Sequence, residues 1–402
     1  MKNVLIVGPL LSISGYGYHS RQVFDYFLNK KDVNVYSSIL PWGNTSWLVN
    51  KEGENGLVGK IIDSAIDINN TFSNEYDLGI HIQLPNEWNT TFARKNIGIS
   101  AYVETDICAQ SWIKKTLSMN LVVVPSSFTK QVVLNSAKDE SQKKELNDKI
   151  TVIAEHYHSD FDKLDKESSK GLYDALEKVN TEFNYLSIGH LTSEDERCDR
   201  KNLIETLRYF CEQFKDDKKV GLILKTSIGR STTLDRNKTI EIFSSIIKQI
   251  KGDAEYPKIY ILHGEMSINE LYSLYTHKKV NCYLTLTKGE GYGLPLLESA
   301  RCGLPIIATN WSGHLDFLNN DFLSVDYDLS FLPKEKIDNN IFVNKSKWAI
   351  VRKESVEKQL EYSYKSYEKI KEKSRKLKSE VVKNYCRKEI FNNYDKALKE
   401  YL

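Results

Sequence analysis

Neither sign of charge dominates this chain. Over 402 residues, 56 lysines and arginines stand against 54 aspartates and glutamates, a formal net charge of +2. So close a balance gives no global electrostatic case for nucleic acid as the main partner. No apolar run approaches the roughly 20 residues of a membrane-spanning helix, and residues 1–8 are too short and too strand-like for a signal peptide. The cysteines Cys108, Cys198, Cys211, Cys282, Cys302 and Cys386 form no C-x-x-C pair. That spacing argues against a zinc site or a disulfide framework and for reduced thiols in a cytoplasmic protein. No G-x-S-x-G, Walker A or H-E-x-x-H stretch occurs, and no internal repeat or low-complexity array.

What is present is enough apolar material, 41% of the residues, for two cores. The first part alternates short apolar runs at 4–7, 33–37, 78–82, 97–103, 121–124 and 150–153 with helical stretches, such as 18–29. The pattern starts again with runs at 185–188, 220–224, 258–262, 280–285 and 306–308, separated by helical stretches at 201–214, 239–251 and 269–277. Such alternation predicts parallel sheets covered by helices on both faces. Residues 159–182 are polar and charge-rich and read as a connector with a short helix. The lysine-rich tail 353–402 lacks proline and reads as helical, its glutamates favouring a solvated face over an anionic membrane contact.

The most informative stretch runs from Thr287 to Glu298, T-K-G-E-G-Y-G-L-P-L-L-E, directly after the run 280–285. Pro295 suits a first helical turn, and Gly291 and Gly293 let backbone approach a ligand closely. The helix start favours an anion such as a diphosphate. Glu290 in the turn and Glu298 one turn inside the helix place carboxylates on either side of those phosphates. A sugar–diphosphate–ribose molecule needs that arrangement of hydroxyl acceptors. For the two glutamates alone, a plain strand–turn–helix is an even alternative.

The longer run Glu290 to Thr309 resembles the donor-site signature of GT-B glycosyltransferases, nearest to the retaining family 4 type. The resemblance implies an α/β chain of the GT-B fold: two Rossmann-like domains facing across a cleft, with a C-terminal helix crossing back to the N-terminal domain. The expected bounds are 1–165 with about 388–402 for the acceptor domain, and 183–387 for the nucleotide-sugar donor domain. It further implies a metal-independent, hexosyltransferase-like enzyme with no cofactor. Such an enzyme moves a sugar from a nucleotide-diphosphate sugar, a UDP- or GDP-sugar, to a hydroxyl of a carbohydrate, lipid-linked or other acceptor, with retention. By that resemblance Glu290 contacts the donor sugar, Glu298 the ribose and Lys201 the diphosphate, while Gly291, Tyr292, Gly293 and Leu294 form the turn.

Other segments match the family less closely. The family's arginine position holds His190 here, so Arg200, Arg197 or Lys225 are candidates for the missing charge. Gly15 and Gly17 lie in a first turn that resembles the family's glycine loop without fitting G-x-G-x-x-G. Glu104 stands where many members carry a histidine, with Asp106 and His81 as further acceptor-side candidates. For His81, a hydrogen-bonded core histidine is an equal alternative. Ser127 reads as a helix cap, and 309–314 follows a strand without an assignable task. Two D-x-D triplets, at 160–162 and 326–328, lie in polar connections, and no metal is assigned to them. The rival functions are a phage-type DNA-base glycosyltransferase, a sugar-nucleotide epimerase and a non-catalytic nucleotide-sugar-binding protein. The location expected is cytoplasmic, with peripheral membrane association as the variant.

Overall fold

The computed structural model describes residues 1–70, 72–165 and 167–402. Lys166, inside the stretch read as a connector, is therefore outside the described residues. The chain divides into two compact units. The first comprises residues 1–156, 338–346 and 387–402, and the second 157–337 and 347–386.

The first unit is built on strands β1 (Lys2–Gly8), β2 (Val33–Ile39), β3 (Tyr76–Ile82), β4 (Ala93–Ile99), β5 (Leu121–Val124) and β6 (Ile150–Val152). All pair in parallel, in the order β2-β1-β3-β4-β5-β6. Helices α1 (Gly15–Leu28), α2 (Leu57–Asp63), α3 (Gln110–Ser118), α4 (Ser127–Asn135) and α5 (Glu140–Lys149) accompany the sheet. In β1, Val4, Leu5 and Ile6 are completely buried although they point to alternate faces. Only a sheet covered on both sides does this, which is why the run is apolar throughout.

The second unit repeats the plan. Its parallel sheet has the order β12-β11-β10-β7-β8-β9. The strands are β7 (Phe183–Ile188), β8 (Val220–Thr226), β9 (Lys258–His263), β10 (Cys282–Thr285), β11 (Ile306–Thr309) and β12 (Leu323–Val325). The helices are α6 (Lys170–Glu177), α7 (Leu203–Gln213), α8 (Thr233–Lys251), α9 (Ile268–Thr276), α10 (Leu294–Cys302), α11 (Leu315–Leu318), α12 (Lys353–Lys365) and α13 (Tyr367–Asn384). An antiparallel pair, β13 (Tyr327–Phe331) with β14 (Lys347–Val351), stands apart from the sheet. The closing helix α14 (Arg387–Leu398) belongs to the first unit, where its buried stripe Ile390, Tyr394 and Leu398 joins the core of β1 and α1. Each such side chain contributes about 1.5–3 kcal/mol by burial. Tyr26 donates to Asp395 at 2.8 Å and Arg387 to Asp25 at 2.7 Å, fixing the helix on α1.

The two parallel six-stranded sheets with flanking helices agree with the expected α/β class. Four details depart from the sequence expectations. Helix α1 starts at Gly15, capped by Ser14 accepting the Gly17 N–H, so both glycines lie in a helical turn instead of a loop. Strand β4 stops at Ile99, and Tyr102 turns the chain with φ 51°. The tail is three helices in sequence, broken at Ser366 and at residues 385–386. The start of the stretch read as a connector is part of the second unit: Phe161 is buried, and Arg301 donates to Asp162 Oδ1 at 2.6 Å and to the Phe161 carbonyl at 3.1 Å.

Candidate active site

The site of the second unit is assembled at the carboxyl ends of β7, β8, β10 and β11, where open parallel sheets receive ligands. The chain leaves β10 through the buried residues Leu286, Thr287 and Lys288 and enters α10 at Gly293. Gly293 has φ 104°, a conformation L side chains rarely adopt, and a Cβ there would stand 3.2 Å from Leu296 and 3.3 Å from His314. No side chain caps the head of α10; Pro295 has no N–H, and those of Leu296 and Leu297 donate to the Gly293 carbonyl at 3.0 and 3.1 Å, so the helix offers a ligand chiefly its positive dipole end.

The turn is stitched to its neighbours. Arg200, Lys201 and Asn202 precede α7, and Asn202 has φ 56°. Its amide donates to the Leu286 carbonyl at 2.9 Å, and the Lys288 N–H donates to the Arg200 carbonyl at 2.9 Å. Asp199, fully buried, accepts from Thr192 Oγ1 at 2.7 Å and from the Leu203 N–H at 2.7 Å, fixing this loop to the helix start. Lys288 points away from the site and donates to the carbonyls of Glu196 and Arg197, at 2.7 and 3.0 Å.

Lys201 Nζ lies 2.6 and 2.8 Å from the two oxygens of Glu290. Arg200 Nη1 lies 3.5 Å from Glu290 Oε2 and donates to the Gly289 carbonyl at 2.8 Å. Burial alone would push the Glu290 carboxyl up, but Lys201 and Arg200 overcome it and hold the group at about 2. Glu298 has the opposite environment. Burial raises its carboxyl to about 7, against the hydrogen bond from Tyr275 (3.0 Å) and the more distant charge of Lys225. Burial in turn lowers Lys225, with Glu265 and Glu298 opposing.

His190 is exposed, its Nδ1 3.0 Å from Ser227 Oγ and 3.2 Å from the Ser227 carbonyl. Lys225, Lys201 and Arg200 all lie within electrostatic reach of its ring. Positive charge is thus present around the histidine, with Arg200 beside Glu290. Arg197 turns elsewhere, to Asp195 at 2.7 Å. Tyr292 is 3% exposed and packs edge-on against Phe317, so its ring is part of the core under the turn. Gly291 is buried and Leu294 half-buried.

Two residues without a role in the sequence complete the site. Ser312, at φ 90°, accepts the Glu290 N–H on Oγ at 2.9 Å. His314 is fully buried, donates from Nε2 to the Thr309 carbonyl at 2.8 Å and leaves Nδ1 without a partner among the described residues. The signal for both was the short polar segment 309–314 at the end of a buried strand. One carboxylate of each D-x-D triplet is engaged in an ion pair, Asp162 with Arg301 and Asp328 with Arg352. Among the described residues no cluster of three or more His, Cys, Asp or Glu is arranged to hold a metal.

The first unit carries its own candidates. Glu104 and Asp106 are half-buried in the irregular segment after β4. His81 lies inside β3 with no exposure, its Nε2 donating to Asn96 Oδ1 at 3.0 Å. Burial lowers it to about 4, the position of a hydrogen-bonded core histidine. Gly17 fits tightly, since a Cβ would stand 2.0 Å from the Ser12 carbonyl oxygen, whereas Gly15 faces open space. No helix among the described residues is long and apolar enough to cross a membrane.

Comparison with known proteins bears on the fold and on the stretch that holds this site. The family described as glycosyl transferases group 1 matches residues 247–376. The comparison with curated proteins gives no match. Among solved structures, a glycosyltransferase from Rickettsia africae is similar over 100% of this chain and 98% of its own, with TM-score 0.64 and 15% identity. HepE of Anabaena, in complex with UDP and glucose, is similar over 100% of both chains, with TM-score 0.60 and 11% identity. Sucrose-phosphate synthase from Thermosynechococcus elongatus is similar over 100% of this chain and 99% of its own, with TM-score 0.60 and 10% identity. The glycosyl transferases group 1 family thus matches a third of the chain, and the likeness to solved structures along its whole length shows that it has the fold of GT-B glycosyltransferases.

Proposed function

We propose that this enzyme moves a sugar from a nucleotide-diphosphate sugar to an acceptor hydroxyl with retention at the anomeric carbon and without a metal. The observation that carries the proposal is the Glu290 carboxylate, held ionised by Lys201 and Arg200 beside the uncapped head of α10. An ionised carboxylate accepts strong hydrogen bonds from sugar hydroxyls. As the glycosidic bond breaks, the departing diphosphate gains negative charge. Fixed cations and the positive end of a helix dipole stabilise that charge without reorganising. Lys201, Arg200 and the turn 291–294 take that part, with Lys225 and His190 at its edge. Glu298, one helical turn further, receives the ribose hydroxyls. The complex of HepE with UDP and glucose makes a UDP-sugar the first donor to try.

Glu104, with Asp106, serves the acceptor side in the first unit. The leaving phosphate takes the acceptor proton in a front-side reaction, so no enzymic nucleophile is required. The test is a screen of UDP- and GDP-sugars for donor hydrolysis, with EDTA present, comparing wild type with Glu290→Ala and Lys201→Ala. Nucleoside diphosphate released from one donor, and lost in both variants, supports the proposal. The anomeric configuration of the released sugar, read by NMR before mutarotation, decides retention. Epimerised donor, or tight nucleotide binding with no release, would replace transfer by one of the rival functions.

A further inference from the structure

The donor chemistry leaves one aromatic pair of the first unit unused. The rings of Tyr16 and Trp42 stack with centroids 4.2 Å apart and planes 28° from parallel. Tyr16 is fixed from behind: its hydroxyl lies 2.9 Å from Ser100 Oγ and accepts the Ala101 N–H at 3.0 Å. Trp42 stands on the loop after β2, which is laid on the loop after β1. The Ile13 N–H donates to the Ser46 carbonyl at 2.9 Å, and the Leu48 N–H to the Leu11 carbonyl at 2.8 Å. Thr45 Oγ1 lies 2.7 Å from Ser12 Oγ and 2.8 Å from the Trp42 carbonyl. The indole is therefore held on one face by Tyr16, on a braced loop, and remains partly exposed.

This pair sits at the carboxyl ends of β1, β2 and β4, next to the β1–β3 position where the strand order reverses and ligands are received. The Glu104 carboxylate lies within electrostatic reach of the Tyr16 hydroxyl. Residues 39–50 carry no charged side chain but offer Asn44, Ser46 and the exposed Trp47. A nucleic acid or an anionic lipid surface calls for lysines and arginines, and this loop has none. A neutral polyhydroxylated ring fits. Its C–H face meets the negative π-face of an indole, and its hydroxyls meet amide, hydroxyl and carboxylate groups.

We propose that Trp42, backed by Tyr16, is a stacking platform for a neutral pyranose ring of the acceptor, which makes the acceptor a carbohydrate. This rests on the reading of the first unit as the acceptor side and narrows its substrate class. The experiment is saturation-transfer NMR on the full chain with methyl α-glucopyranoside, maltose, cellobiose and lactose, and with a single-stranded DNA 20-mer as competitor. At least one sugar should receive saturation at its ring protons. Its affinity should fall at least about tenfold in Trp42→Ala and largely return in Trp42→Phe, as expected for loss of one stacked ring. The phenylalanine variant also shows that the loop still folds. Absence of transfer to all four sugars, binding unchanged in Trp42→Ala, or preference for the DNA would each overturn the platform. Donor hydrolysis is scored separately. Hydrolysis without sugar binding sinks the platform alone. Sugar binding at Trp42 without hydrolysis of any donor keeps the stacking site but overturns its role for an acceptor together with the transferase reading.

Discussion

Ser312 and Glu290 are 22 positions apart, yet the Ser312 hydroxyl accepts the Glu290 backbone N–H at 2.9 Å. The Glu290 carbonyl in turn accepts the Gly313 N–H at 2.9 Å. The carboxylate bound to Lys201 thus hangs from a backbone clamped on both sides by the loop after β11. Ser312 keeps φ 90° to do so, a conformation that costs a non-glycine residue on the order of 1 kcal/mol or more.

Ser312→Ala keeps the backbone strain and removes the acceptor. The Glu290 N–H then lacks its partner, a loss of about 1–3 kcal/mol. Ser312→Gly removes the acceptor but relieves the strain, so it should be more stable than the alanine variant. Both should lower donor-hydrolysis kcat at least about tenfold through misplacement of Glu290. Denaturant midpoints and kcat measured together check the pair. A fully active Ser312→Gly would mean that strain, and not the hydrogen bond, matters here.

Lys201→Ala tests the ion pair through pH. The folded Glu290 carboxyl is depressed to about 2 from an ordinary 4.5. Its stabilising contribution is therefore fully present above pH 4.5 and is lost as pH falls through 2. In wild type, the stability of the second unit should decline across that window. In Lys201→Ala the decline should be shallower, because much of the contribution is already missing at neutral pH. Leaving a buried carboxylate short of its main partner costs about 3–5 kcal/mol, while Lys201→Arg should restore most of it. Urea midpoints at pH 7, 5 and 3 provide the check.

Glu298 reverses the sign. Its folded carboxyl is raised to about 7 by burial, so between pH 4.5 and 7 the unfolded chain ionises while the folded one stays protonated. Stability contributed by this group is present below pH 4.5 and falls as pH rises to 7. In the proposed role of Glu298 donor binding follows the other way, because an ionised carboxylate would accept ribose hydroxyls more strongly. The donor KM should fall between pH 6 and 8 in wild type. It should be higher and nearly flat in Glu298→Gln, for which a KM–pH profile is sufficient.

The parallel sheets were legible because strands such as β1 and β10 are buried on both faces and therefore apolar without interruption. The turn from Lys288 to α10 was legible because glycine, proline and carboxylate each have a distinct physical job there. The pair β13 and β14 escaped notice: Asp328, Leu329, Ser330 and Phe331 are all exposed, so the first strand of the pair has no apolar periodicity to read. Residues 338–346 return to the first unit through Ile341, Phe342 and Val343, three residues too few to announce themselves. Ser312 and Tyr275 depend on partners 22 and 23 positions away, at Glu290 and Glu298, and no local pattern encodes such distances.

The two glycines at the start of α1 look interchangeable in sequence and differ in structure. A Cβ on Gly17 would stand 2.0 Å from the Ser12 carbonyl oxygen and 3.0 Å from that of Pro9, both backbone atoms. The loop cannot give way easily, because the buried Arg21 donates to the Leu10 and Ser12 carbonyls at 3.1 and 2.9 Å while paired with Glu54 at 2.8 Å. Gly17→Ala should therefore destabilise the first unit by about 3 kcal/mol, the scale of severe overpacking. Gly15→Ala meets nothing within 4 Å and gains helix propensity of up to about 1 kcal/mol, so it should be neutral or slightly stabilising. Thermal midpoints of the two variants decide the matter. Equal stability would show that the loop after β1 is not braced by Ser12 and Arg21. A stable but inactive Gly15→Ala would instead make Gly15 a point of close ligand approach, the role that the open space beside it permits.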